Sequence, residues 1–138
     1  MTQFYKDTRL THMSQMEAFL WTKFLEEHGN EYYNYKYDIH LKKPIKIPEG
    51  MPKEYAADAI HLSSLRIDAT METKNEIYVV EIRPDATASA IGNLILYRFL
   101  YKMEFQPTKT VKMMLITNLY SAAMELTTRA IEIPYIVY

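Results

Sequence analysis

The run Val79-Val80-Glu81-Ile82-Arg83 sets a carboxylate and a guanidinium in an otherwise apolar, strand-like stretch. Glu81 and Arg83 are two positions apart, so on a strand they point to the same face. Asp68 lies thirteen positions before Glu81, between Ile67 and Ala69, on what reads as the preceding strand. A hairpin brings Asp68 beside Glu81. Two convergent carboxylates make a hard-oxygen site suited to Mg²⁺ or Mn²⁺, which keeps several waters and awaits substrate phosphates. Such an ion activates water and neutralises charge on a phosphodiester in its transition state. The same residues also fit a plainer role, a solvated strand face whose carboxylates are paired by Arg83 or Arg66.

The elements that must position these groups follow from periodicity. Residues 12–28 have helical spacing through Met13, Met16, Leu20 and Phe24, with Ser14 and Glu17 as a capping box and Gly29-Asn30 as a stop. Residues 32–41 alternate through Tyr33, Tyr35, Tyr37, Ile39 and Leu41, which predicts a strand with one buried face. Three prolines and a glycine make 42–53 a loop, and a short helix is expected around 54–63. Strands are expected over 65–71 and 76–83, joined tightly enough for an antiparallel hairpin. Pro84 closes the second, because it cannot donate to a ladder. Thr87 or Ser89 then caps a helix running to about 104. A strand over 111–117, a small helix over 120–130 and a strand over 135–138 complete the chain. The order implies an α/β (α+β) fold, a mixed β-sheet flanked by helices.

Composition bounds the function. The chain has 138 residues, 49% hydrophobic and 24% charged, which fits one domain spanning 1–138 and excludes disorder and collagen. A net charge of −1 predicts no indiscriminate grip on DNA or membranes, so any nucleic-acid site must come from local clustering. Without cysteine there are no disulfides, thiol nucleophiles or thiolate metal sites. No unbroken hydrophobic run exceeds four residues, against about 20 for a membrane span. The opening MTQFYKDTRL lacks a signal peptide's apolar stretch, so a cytoplasmic protein is the default expectation.

Other candidates carry less. His12, His28, His40 and His61 are scattered and show no metal-ligand spacing. Ser63-Ser64 lacks a nucleophile-elbow context. The Tyr32–Tyr37 run stacks bases or, more simply, packs on a helix. The three glycines, Gly29, Gly50 and Gly92, form no phosphate loop. Arg66, Arg83, Arg98 and Lys102 lie on or beside the elements carrying Asp68 and Glu81. Arg98 and Lys102 share a helical face, either as a rim for a phosphate backbone or as ordinary helix polarity.

Asp68, then Glu81-Ile82-Arg83, then a helix with Asn93-x-x-x-Tyr97, resembles the PD-(D/E)XK nuclease superfamily with its restriction-endonuclease-like core. The closest likeness is to the RecB-like and Cas4-like branch, whose motifs run Asp, (D/E)-x-K and Q-x-x-x-Y. IYVVEIRPDATASAIGNLILYRFLY is similar to the EVKP-…-GQLLLYR stretch of small stand-alone members, some of them phage-encoded. The resemblance implies Asp68 and Glu81 as metal-binding carboxylates, with the Ile82 carbonyl completing the inner shell. Glu17 matches an acidic residue that many members hold near the metal, with Glu26 and Glu27 as alternatives. Asn93 and Tyr97, one turn apart, match the pair that supports the site or contacts the nucleic-acid backbone; Tyr97 also suits simple core packing.

Two positions depart from the family pattern. Arg83 stands where the family has Lys, and Asn93 where this branch has Gln. Arginine keeps the charge but cannot deprotonate near neutral pH, and its fork is larger than an ammonium. The expected function is a Mg²⁺- or Mn²⁺-dependent DNA nuclease. The alternative is a catalytically inactive nuclease-fold module for DNA binding or protein interaction, such as a phage accessory component. The short chain leaves little room for a separate recognition domain, so a homo-oligomer or larger nucleoprotein complex is the expected setting.

Overall fold

The computed structural model of the protein describes residues 10–41, 49–50 and 65–138. The helix expected over 54–63, and the loop over 42–53 apart from Glu49 and Gly50, fall outside them. The described elements are α1 (Gln15–His28), β1 (Tyr33–His40), β2 (Arg66–Glu72), β3 (Glu76–Ile82), α2 (Ala88–Phe105), β4 (Thr110–Thr117), α3 (Ala122–Ala130) and β5 (Tyr135–Val137). The strands form one sheet in sequence order, antiparallel from β1 to β3 and parallel from β3 to β5. A mixed sheet flanked by helices is therefore the observed architecture.

The parallel half follows from chain economy. A parallel neighbour needs a long crossover, and α2 and α3 supply the two. The hairpin between β2 and β3 is tight and closes with a Thr73 N–H bond to the Glu76 carbonyl at 2.9 Å. α1 begins at Ser14, whose Oγ accepts from the Glu17 N–H at 3.1 Å, and the preceding residues form a turn rather than helix. Gly29 ends α1 in a right-handed conformation and leads into a short 3₁₀ turn.

Each sheet face carries its own core. On one, Ala90, Ile91, Leu94, Tyr97, Leu100 and Tyr101 of α2 cover Ile77, Val79, Val111 and Leu115, joined by Met124 of α3. On the other, Trp21, Phe24 and Leu20 of α1 cover Ala69, Met71, Val80, Ile82, Met114 and Ile116. Burying each such large side chain contributes about 1.5–3 kcal/mol. Trp21 anchors the second core: it stacks on Phe24 with centroids 5.2 Å apart and donates its Nε1–H to the Tyr37 hydroxyl at 3.1 Å.

One expectation fails in β1. The alternation from Tyr33 to Leu41 predicts a single buried face, yet Tyr35 and Tyr37 pack with α1 whereas Ile39 and Leu41 pack with α2. Asp38 causes the switch. Its φ of 51° is left-handed, and that turn of the backbone reverses the side-chain alternation beyond it. β2 switches with its partner, Ala69 facing α1 and Ile67 facing α2. Asp68 sits at that switch. Asn34 is also left-handed, with φ 56°, where the β1–β2 register shifts.

Candidate functional site

Asp68 stands where β2 and β3 part. Their pairing runs from Glu72↔Ile77 to Ala69↔Val80, and beyond it the Asp68 carboxylate takes over the acceptor's role. Its Oδ2 receives the Ile82 N–H at 2.9 Å. The other edge of β3 stays laddered to β4, with the Arg83 N–H donating to the Ile116 carbonyl at 2.9 Å. In a strand a residue's carbonyl points to the same edge as its N–H, so Ile82 turns both groups toward Asp68.

Glu81 follows Ile77 and Val79 onto the α2 face and is only 5% exposed. Its carboxyl and that of Asp68 share a hydrogen bond, and Asn93 of α2 interacts with it from above. Glu81 Oε2 is buried without a partner. Burial, then the neighbouring Asp68 charge, pushes the Glu81 carboxyl up to about 9. Asp68 is also raised, by burial, against the opposing pull of the Glu81 and Ile82 hydrogen bonds and the charges of His12 and Arg83. The pair therefore holds one shared proton at neutral pH, Glu81 donating and Asp68 accepting, because two adjacent buried carboxylates do not both ionise.

Around this pair the remaining residues divide. Tyr97 is 9% exposed within the α2 core, and its hydroxyl is pushed up to about 12 by burial and then by the Glu81 and Asp68 charges. It packs and borders the site at once. Arg83 donates from its Nη1 to Ser89 Oγ at 3.1 Å, in the first turn of α2, and Ser89 Oγ is 3.1 Å from Thr87 Oγ1. Thr87 occupies the cap position of α2 but makes no capping hydrogen bond, so the expected cap is positional only.

Glu17 lies half-buried in the first turn of α1, at the end where His12 meets β2. Glu27, ten residues or about 15 Å further along the helix, accepts from the Tyr138 hydroxyl at 3.0 Å. Glu26 is exposed. Arg98 points away from the carboxyl pair: its Nε donates to the Val111 carbonyl at 2.7 Å, near the start of β4. Glu81 pairs instead with Leu115, four residues further up that strand. Lys102 follows one turn later and is exposed. Helical spacing places Arg98 and Lys102 together correctly but leaves open which end of the sheet they reach. Arg66 is exposed and sits 3.7 Å from Asp38 Oδ1.

His12 is the residue that sequence reasoning passed over. Its Nε2 lies 3.2 Å from the Asp68 carbonyl oxygen, across 56 positions of chain. Nothing in local spacing signals that contact. Among the described residues no group of three or more His, Cys, Asp or Glu is disposed to hold a metal ion. The carboxyl pair is thus a two-acid site, a number that suits Mg²⁺, which typically takes one or two carboxylates and completes its shell with water and phosphate. The orphaned Glu81 Oε2, the Asp68 carboxylate and the Ile82 carbonyl edge form a donor set of hard oxygens that fits such a cation.

Comparison with protein-family models, with curated proteins and with solved structures returned no match. The site is therefore read from its own geometry. Among the described residues no helix is long and apolar enough to cross a membrane.

Proposed function

We propose that the chain is a nuclease domain of restriction-endonuclease-like fold that hydrolyses DNA phosphodiesters with Mg²⁺ or Mn²⁺. The observation that carries this reading is the buried Asp68–Glu81 pair, hydrogen-bonded to itself and left with one orphaned oxygen. Burying two acids together destabilises a fold unless a positive partner joins them. Arg83 acts on both carboxyls with its charge, yet its hydrogen bond goes to Ser89. A cation from solution would give the pair a directly bound positive partner.

Asp68, Glu81 and the Ile82 carbonyl would hold the ion, which when bound supplies activation of water and neutralisation of phosphodiester charge. The chain's own residues do the rest. Asn93 orients the Glu81 carboxyl and, in the reading proposed here, Tyr97 shields it from bulk water. Arg83, half-exposed and braced by Ser89, stabilises the charge that grows on the phosphate oxygens. Positive charge there substitutes for the ammonium that the family pattern carries.

The test is cleavage of single- and double-stranded DNA by the wild type with and without Mn²⁺, with Glu81→Gln as the contamination control. Metal-dependent cleavage that Glu81→Gln removes supports the reading, and cleavage unchanged in Glu81→Gln assigns the activity elsewhere. One observation favours a non-catalytic binding module. Arg83 is committed to a hydrogen bond on its own α2 rather than left free for substrate. Nucleic-acid binding without cleavage under any metal would mark that alternative.

A further inference from the structure

α2 is apolar on both sides. Its inner side fills a core, and its outer side exposes Ala88, Gly92, Ile95, Phe99 and Lys102. Those positions are spaced 4-3-4-3, the seam of a helix that meets another helix. Ile95 is 52% exposed and Phe99 59%. No Asp, Glu, Lys or Arg occurs between Asp85 and Arg98. The outer side of α3 differs: exposed Leu126 is neighboured there by the Glu125–Arg129 ion pair. Gly92 adds a second anomaly. A glycine inside a helix lowers its stability relative to alanine, and a Cβ at Gly92 would meet nothing within 4 Å. Nothing within the described chain requires the glycine, whereas close approach of another helix does.

We propose that this face pairs with α2 of a second copy of the chain, antiparallel, about a two-fold axis between Ile95 and Phe99. The seam tapers, and the taper selects the partner and its direction. Small residues, Ala88 and Gly92, occupy its first half, and the long Lys102 its second. Turned antiparallel, Ile95 meets the second copy's Phe99, while the long stem of Lys102 lies over Gly92. The ammonium of Lys102 stays in water as its stem covers apolar surface. A parallel pair would set Lys102 against its own copy and leave a gap at the glycines. Opposed helix dipoles favour the antiparallel pair as well. Five residues a side make a contact at the small end of specific interfaces. The dimer is accordingly weak and concentration-dependent.

Sedimentation equilibrium from about 1 µM to about 1 mM should show the mass rising from 16.3 kDa toward twice that value. Phe99→Glu, at an exposed position, should weaken association by about tenfold or more with the circular dichroism melt unchanged. Gly92→Leu should do the same while stabilising the helix, which separates a blocked interface from a misfolded chain. Since the chain has no cysteine, mixing Gly92→Cys with Lys102→Cys protein under diamide reads the direction. A mixed disulfide is expected. A monomer at every concentration, association indifferent to Phe99→Glu, or a disulfide between two Gly92→Cys chains would each overturn the proposal.

Discussion

Asp68 accepts the Ile82 N–H at 2.9 Å, so the same carboxylate that meets Glu81 also terminates the β2–β3 ladder. Structure and site are joined through one side chain, and substitutions must separate the two roles. Asp68→Asn does so, because its amide oxygen still accepts from Ile82 while the negative charge is gone. Titration calorimetry should find Mn²⁺ affinity reduced in Asp68→Asn and in Glu81→Gln. Changes one shell further out typically cost 10–100-fold, so loss of a ligand should cost at least about tenfold.

The shared proton predicts how stability changes with pH. Glu81 is raised to about 9 in the folded state and ionises near 4.3 when unfolded. The folded chain therefore binds the extra proton, and its contribution is complete below the unfolded value. Stability then falls as pH rises from about 4.3 towards 9. Thermal melts from pH 5 to 9 should show this decline in wild type and a flatter profile in Glu81→Gln. Adding Mn²⁺ should raise the wild-type melting temperature more at pH 8 than at pH 5. A decline equal in both proteins would place the titrating group elsewhere.

Arg83 separates enzyme from relic. With an active site, Arg83→Lys keeps or raises Mn²⁺-dependent cleavage, and Arg83→Ala lowers it by about a hundredfold, as loss of one preorganised charge does. Oligonucleotide cleavage by the three proteins measures this directly. Silence in wild type with activity in Arg83→Lys would identify a disarmed nuclease.

Trp21 tests the fold apart from the site. Trp21→Ala empties a fully buried position in the α1 core and should cost about 3–5 kcal/mol. Because Trp21 is the only tryptophan, urea unfolding is best followed by circular dichroism rather than fluorescence. Mn²⁺ affinity of the folded fraction should stay unchanged.

What could be read before the structure depended on range. The closeness of Asp68 and Glu81 was legible because only Thr73, Lys74 and Asn75 separate β2 from β3, which leaves a hairpin little choice of register. The switch of faces in β1 was hidden, since Asp38 takes a backbone conformation that alternation assumes away. His12 was hidden for another reason: its neighbour Asp68 is 56 residues distant, and only packing of α1 on the sheet brings them together. Arg98 illustrates a third limit. Helical periodicity fixes a residue's face, while its distance from Glu81 depends on where the β4 backbone runs.

The left-handed Asn34 and Asp38 also bear on the fate of the chain when crowded. Among the described residues β1 lies at the edge of the sheet, paired with β2, and its sequence YNYKYDIH is rich in β-forming tyrosine. A regular edge of that kind offers a row of unpaired amides to any passing strand and is a template for fibrils. With two residues turned out of the extended conformation within eight, the row is broken at both, and no straight strand can dock along its length. The same kink that switches faces at Asp68 thus guards the open border of the sheet against cross-β growth.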